Sequence, residues 1–497
     1  MTLRYTGHPI ADVGVATICA FCEKPDPGAL TQDDLRKISR FMEREYFSGK
    51  LLSYLTCVFP NSAYVNPTVG DAKKNDYKRE ILQGFENDPD PATAHLRCVF
   101  SGEPAARIVN RQHVPLITGE DVLNFFPDGA GGMPIGADFL LAMQAFPLGA
   151  RRCLGRALAV HCPDDQSLTY EFAHRFLEDN RKLLLLAEKS GEKYEDAKAP
   201  RTLVVDALLD IMRRRPWSAS ENRAGTRASV TVYHLTNSGQ GPDIDVYELP
   251  SEVVSFVAKV SRAGSSDIWS KIVARAWETP APLRANSAKS SRRAPIRAKP
   301  APPEAGKNRN FLYEDLFRLP EGAARFIRTY FLRRAWRFAR QQKNDPRAEY
   351  AAAREIQLVS WRLTHMFLKE ILGMDKSRIE AIRTLGDRLA VHISEHDRRL
   401  FQRLYRVNRY DFFRTLLIKT SKDTVGRGQE PIIGFNEFIA IFAETEDVPR
   451  VDWRLARDLV LIRLIERLNE LGVFSKQPEV LEGLDSEEES ADEEVAP

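Results

Sequence analysis

The pattern of apolar and polar positions sets out the elements of the chain in order. From Thr31 to about Tyr46 the pattern is helical, with Asp33 and Asp34 in the first turn, where carboxylates face the positive end of the helix dipole. Residues 168–190 and 201–214 read as helices in the same way. Residues 1–20 mix Gly, Pro and apolar positions and fit either a strand and turn or a loop entering a helix. Residues 60–80, PNSAYVNPTVGDAKKNDYKRE, read as a polar loop, and residues 96–118 as a β-turn element. FFPDGAGGMPIGAD is a Gly/Pro-rich loop, and FLLAMQAF after it is apolar enough to be buried. At 229–249 two β-rich runs, SVTVYHLT and DIDVYEL, flank NSGQGP, which predicts an antiparallel hairpin. From about Phe311 to Phe474 the pattern is helical in several segments with short breaks.

The fold class expected is α+β: a mixed α/β N-terminal body with a β-hairpin region, then a C-terminal helical bundle. The division expected is a body over 1–215, a hairpin and helix extension over 216–277, a linker over 278–309, a bundle over 310–474 and a tail over 475–497. From Thr279 to Arg309 the linker is built from Pro, Ala, Ser and basic residues with a single acid, Glu304. Neither linker nor tail has the apolar content to fold alone, and the tail is expected to be disordered. At 497 residues the chain has material for two to four domains.

Charge changes the picture more than composition does. The net charge is +3, yet residues 479–497 hold nine acids and no Lys or Arg, so the rest carries +12. A basic body with an acidic tail points to a polyanionic partner. No window approaches the ~20 apolar residues of a membrane span. The opening MTLRYTGHPIADVG has no long apolar core, which does not fit a signal peptide. Six cysteines in 497 residues are too sparse for a disulfide scaffold, and a reducing cytoplasm is expected.

One cysteine sits in a suggestive place. LRCVFSGEPA, residues 96–105, has the form Cys-x-x-Cys-Gly with Ser101 in place of the second thiol. A zinc site needs a second hook some 30–40 residues on. There Ile135 and Asp138 have the right spacing and the wrong chemistry. Cys98 is then expected as a small buried residue and the segment as a turn without metal. Cys19 and Cys22 also have hook spacing, but they lie in an apolar run without a second pair.

Taken in order, these pieces resemble the CXXC–CXXC subfamily of the large subunit of type I CRISPR Cascade complexes, of the I-B or I-A kind. The resemblance covers about residues 4–160. It runs from YTGHPIADVGVA through NSAYVNP (Asn61 to Pro67) and the Cys98–Gly102 half-motif to Ile135–Asp138 before an apolar helix ending in Pro-x-Gly. Three of the four metal ligands are gone, so the resemblance implies a degenerate site that has kept its fold, with no cofactor. It also implies a non-catalytic subunit that caps the crRNA 5′ end, reads the protospacer-adjacent motif (PAM) on duplex DNA and helps open that duplex. Its implied partners are crRNA, target double-stranded DNA, the backbone and small subunits, and a helicase-nuclease or other effector.

The residues themselves offer two places for nucleic acid. The 60–80 loop interleaves Asn61, Tyr64, Asn66, Lys73, Lys74, Tyr77, Lys78 and Arg79, which suit base edges, stacking and phosphates. Alternatively Tyr64 and Tyr77 pack inward. Residues 321–343, read as one helix, carry Arg325, Arg328, Arg333, Arg334, Arg337, Arg340 and Lys343 against one acid, Glu321. Arg333, Arg337 and Arg340 would share a face at i, i+4 and i+7. The alternative is that these arginines pair with acids on neighbouring helices. Arg398, Arg399, Arg403, Arg406, Arg409 and Arg414 form a further set with acids nearby. No P-loop or Gly-x-Ser-x-Gly elbow is present, and no catalysis is expected. Rival readings are a metal-dependent nuclease or hydrolase using His161, Asp164, Asp165 and His174, and an arginine-rich scaffold for acidic proteins. His392 and His396, at i and i+4, lack the glutamate of a zincin and read as a polar face.

Overall fold

The computed structural model describes residues 3–87, 93, 95–110, 112–116, 132–190, 196–214, 228–237, 242–262, 266–279, 308–342, 344–445, 448–481 and 484. The expected linker lies outside the described residues over 280–307, and the tail lies outside them from 485 onward. The fold is α+β, with small antiparallel sheets among helices and a helical C-terminal region. The chain divides into two compact units, Met1–Val254 with Ala301–Arg309, and Ser255–Pro300 with Asn310–Pro497.

The first unit is built around a helix, Pro9–Phe21, that is buried from Ile10 to Ala20. A helix apolar all round belongs inside a core. Pro9 at its first position and the His8 side chain, which accepts from the Ala11 N–H at 3.4 Å, fix its start. Gly14 lets a second helix, Ala137–Ala145, come to backbone contact: a Cβ at 14 would lie 2.1 Å from the Ala142 oxygen. The helix Gln32–Tyr46 begins with a capping box in which Thr31 and Asp34 each accept from the other's backbone N–H.

Strands β1 (Arg107–Val109) and β2 (Met133–Ile135) pair antiparallel, with Arg107 opposite Ile135. Strands β3 (Arg151–Cys153), β4 (Arg156–His161), β5 (Val230–Thr236) and β6 (Asp243–Leu249) form one antiparallel sheet in that order. The hairpin β5–β6 has Val230 opposite Leu249 and Thr236 opposite Asp243. Grouped by sequence with a 216–277 extension, it instead extends the sheet of the first unit through β4–β5 pairing. The 60–80 segment is not all loop, since a short helix, Asp71–Tyr77, starts within it.

In the second unit the helix Trp453–Glu470 is buried along most of its length. It packs on Lys376–Glu395, where Gly386 leaves room for Arg463: a Cβ there would lie 2.8 Å from the Arg463 Cγ. The expected single helix over 321–343 does not form. Instead Ala323–Phe326 runs into a wide turn, Ile327–Phe331, and Arg333 adopts a left-handed backbone, φ +59. A 3-10 turn, Arg337–Gln341, follows. The reason is electrostatic. Buried carboxylates of this unit draw the arginines inward, and a straight helix cannot present them all to the interior.

Candidate nucleic-acid interface

The arginines of 325–340 divide between interior and surface. Arg333 is fully buried, with its Nη2 2.7 Å from Glu355 and its guanidinium 3.7 Å above the Tyr350 ring. Arg325 pairs with Asp315 at 3.6 Å and Arg328 with Asp458 at 3.4 Å. Arg334 donates to the Tyr405 carbonyl. Only Arg337 and Arg340 of this group are exposed. The expected phosphate-binding stripe of Arg333, Arg337 and Arg340 is therefore corrected: its first member is a structural counterion. Burial opposes the charge of Asp458, but the guanidinium groups of Arg457, Arg328 and Arg334 outweigh it and hold the carboxyl below the usual range. Such pairs fix geometry, because removing one partner strands the other in a dry interior.

The 60–80 segment is corrected in the same way. Tyr64 is buried, and its hydroxyl donates to Gln144 Oε1 at 3.0 Å. Its ring meets those of Tyr46 and Tyr77 at 5.1 Å each. Tyr77 donates to the Gln112 carbonyl at 2.8 Å. Burial pushes both phenols up in pKa. The Tyr64 ring is not open to stack on a base, and the half-buried Tyr77 ring is already stacked on His113 at 6.1 Å. Asn66 Oδ1 accepts from the Thr68 N–H at 3.0 Å, an Asx turn, and the Lys78 ammonium lies 4.5 Å over Phe47. Asn61 and Lys73 are exposed and Lys74 half-exposed, so the polar part of this surface persists without its aromatics.

An outward arginine face does exist, on the helix Arg399–Arg406. Leu400, Phe401, Leu404 and Tyr405 point inward and are buried. Arg399, Arg403 and Arg406, at i, i+4 and i+7, are exposed, as is Arg398 just before them. The stretch 398–406 holds four arginines and no acid. With Asp397 and Gln402 the three helical arginines line a depression of 420 Å³. Asp397 pairs with Arg403. A short way on, Phe412 is 57% exposed with the Arg409 guanidinium 4.8 Å above it, a ring available for stacking. Phe412 was not singled out in the sequence; its position as an aromatic between Arg409 and Arg414 is the signal that could have found it.

The two half-motifs, far apart in sequence, do meet. The Cys98 N–H donates to the Glu103 carbonyl at 2.8 Å, and Gly102, φ +75, closes the turn onto the Cys98 carbonyl at 2.9 Å. The Val99 N–H reaches the Pro134 carbonyl at 3.1 Å. Cys98 Sγ lies 3.6 Å from where a Cβ on Gly136 would be. Cys98 and Ile135 are both core residues, while Ser101 and Asp138 are half-buried. One thiol and an aliphatic side chain are not a zinc donor set. Among the described residues no group of three His, Cys, Asp or Glu side chains is placed to hold a metal.

Beside this turn Asp12 is buried and accepts from the Thr6 and Gly7 N–H groups at 2.7 and 2.9 Å; His161 Nε2 lies 3.1 Å away. Burial pushes the Asp12 pKa up, but the bonds from His161, Thr6 and Gly7 hold it below the usual carboxylate range. The proposed hydrolytic set is not gathered. His161 is held by Asp12, and Asp165 accepts from the Leu168 N–H at 3.0 Å at the start of Gln166–Ser190. Asp164 accepts from Ser229 at 3.4 Å, and His174 stacks on Tyr170 at 6.0 Å. His392 is buried, and His396 lies 3.7 Å from Glu395.

No family model, curated protein or solved structure matches the chain. Among the described residues no helix is long and apolar enough to cross a membrane.

Proposed function

We propose that the chain is the non-catalytic large subunit of a crRNA-guided type I CRISPR surveillance complex. In this reading it recognises the PAM on duplex DNA, contacts the crRNA 5′ end and stabilises the R-loop. The family part of the reading rests on the resemblance over residues 4–160, and the meeting of the half-motifs at Cys98 and Ile135 is in keeping with it. The nucleic-acid part is carried by one observation, the exposed face of Arg398, Arg399, Arg403 and Arg406, with no acid within 398–406 and Asp397 beside it paired to Arg403. Guanidinium groups spaced along one helix face match a phosphate backbone, and binding through them falls steeply with salt. Lys73 and Lys74 are the remaining candidates for the first unit's contact. The partners are crRNA, target DNA, the backbone and small subunits, and a helicase-nuclease or other effector; the compartment is the cytoplasm.

The test is binding of a guide-loaded complex, with and without this subunit, to target DNA carrying a randomised flanking motif. Motif-dependent enrichment only in its presence is the expected result; equal enrichment overturns the reading. A second reading, a scaffold for acidic proteins, is favoured by an apolar groove of 620 Å³ between Tyr410–Gly426 and Phe435–Phe442, with Arg414 and Lys422 among its lining residues. Absence of RNA from protein purified from its native host, read as absorbance at 260 against 280 nm, would move that reading ahead.

A further inference from the structure

Three observations converge on the helix Arg399–Arg406. Its outer side is the depression lined by Arg399, Gln402, Arg403 and Arg406, with Asp397 at its edge. The C-terminal end of the described chain is delivered to the same helix. The Phe474 ring packs on Phe401 at 5.6 Å, and Gln402 Nε2 donates to the carbonyls of Glu479 and Val480, each at 3.4 Å. Val480 and Leu484 are buried, so the chain is anchored up to the point where the acidic run begins. That run, DSEEESADEEVAP from Asp485 to Pro497, carries seven acids in thirteen residues and no Lys or Arg.

We propose that residues 485–497 of the same chain dock on the Arg398–Arg406 face and compete there with polyanions; the competition rests on the nucleic-acid reading above. Carboxylates meet guanidinium groups through the same paired N–H donors that phosphates use. Thirteen residues reach about 40 Å when extended. The helix is only about 12 Å long, so the tail's carboxylates can meet every arginine on it. Tethering holds them at an effective concentration of about millimolar. Each contact is individually weak and screened by salt. A long, regularly spaced phosphate backbone displaces the tail, whereas short or scattered anions do not. The tail thereby raises the threshold for indiscriminate binding, a repulsive device of the kind specificity often requires.

The full chain is compared with one ending at Leu484, each with and without Arg399→Ser, Arg403→Ser and Arg406→Ser together. The inward residues Leu400, Phe401, Leu404 and Tyr405 stay untouched, so the helix keeps its buried side. Two readouts are taken: backbone hydrogen exchange over 396–409, and anisotropy of a labelled single-stranded DNA of roughly 30 nucleotides at about 50 and about 300 mM salt. Truncation is expected to speed exchange over 396–409. It is also expected to tighten DNA binding about tenfold at the lower salt and less than about threefold at the higher. The gain should vanish in the arginine variant. Exchange unchanged by truncation overturns the proposal even if DNA binds tightly. So does an equal gain in the arginine variant, which would make the tail a diffuse charge, or protection that grows with protein concentration, which would assign it to a second copy. Failure of every form to bind DNA defeats the nucleic-acid reading, while the exchange comparison still decides the docking.

Discussion

Arg333 and Arg337 stand four residues apart in one basic run, and the structure gives them opposite roles. Arg333→Ala removes the Nη2 and Nε donors 2.7 and 2.9 Å from the Glu355 carboxylate and the cation above Tyr350. Glu355 is left with Arg275, at 2.7 Å, whose side chain is half exposed. Breaking a buried pair from one side costs about 3–5 kcal/mol. The surviving Arg275 contact places the loss near about 3 kcal/mol, and the lost cation–π contact adds about 1 kcal/mol. Arg337→Ala, at an exposed position, should change stability by no more than about 0.5 kcal/mol. Urea titration followed by tryptophan fluorescence suits the measurement, because Trp269, Trp277, Trp336, Trp361 and Trp453 all lie in the second unit. Arg333→Met combined with Glu355→Leu should recover much of the loss, since matched apolar replacements of buried ion pairs are often neutral. The reasoning fails if Arg333→Ala costs under about 1 kcal/mol, or if Arg337→Ala costs as much.

Burial, with Arg107 nearby, pushes His113 down to about 4, against 6.5 when unfolded. Its contribution is complete above pH 6.5, falls as pH drops toward 4 and is flat below, a span of about 3 kcal/mol at most. His113→Gln should flatten that part of a stability–pH curve, and a slope unchanged by it would contradict the assignment. Gly14→Ala sets a Cβ 2.1 Å from the Ala142 carbonyl oxygen, a backbone atom no rotamer change can move. A loss of about 3 kcal/mol is expected. Gly426→Ala has open space in a helix's last turn and should gain about 0.5–1 kcal/mol. Thermal melts of the two variants check both. Finally, the triple serine variant of Arg399, Arg403 and Arg406 should lower the slope of log affinity against log salt for single-stranded DNA by about 2. An unchanged slope would remove this face from the interface.

Local patterns were legible in the sequence and partnerships were not. The hairpin announced itself through two β-rich runs around NSGQGP, and the helix from Thr31 through its acidic first turn. The two half-motifs have hook spacing without the ligands, and it was the resemblance, not the spacing, that implied that Cys98 and Ile135 belong together. The helix expected over 321–343 broke because Asp458 lies 130 residues beyond Arg328, and Glu355 lies 22 beyond Arg333. Nothing local shows that a carboxylate waits in the interior. For Tyr64 the sequence leaves a surface ring and an inward one both open, and Gln144, 80 residues away, accepts the hydroxyl of the inward one. For Arg399, Arg403 and Arg406 the sequence showed both the arginines and the acids beside them, but not which side chains face outward. Of the acids near them in sequence, Asp397 does pair with Arg403, and among the described residues it is the acid that lines their depression.

The arginine face also decides what can silence it. A guanidinium does not lose its proton at any pH a cell reaches, and the phosphodiester it suits is always ionised. The charge of these guanidinium groups is thus blind to acidity, unlike the first unit, where burial makes His113 and His234 resist protonation. Mobile ions, polyamines and rival anions remain as the levers, and each acts in proportion to its concentration. The charge of such a face therefore answers to the ionic composition of its surroundings rather than to their pH.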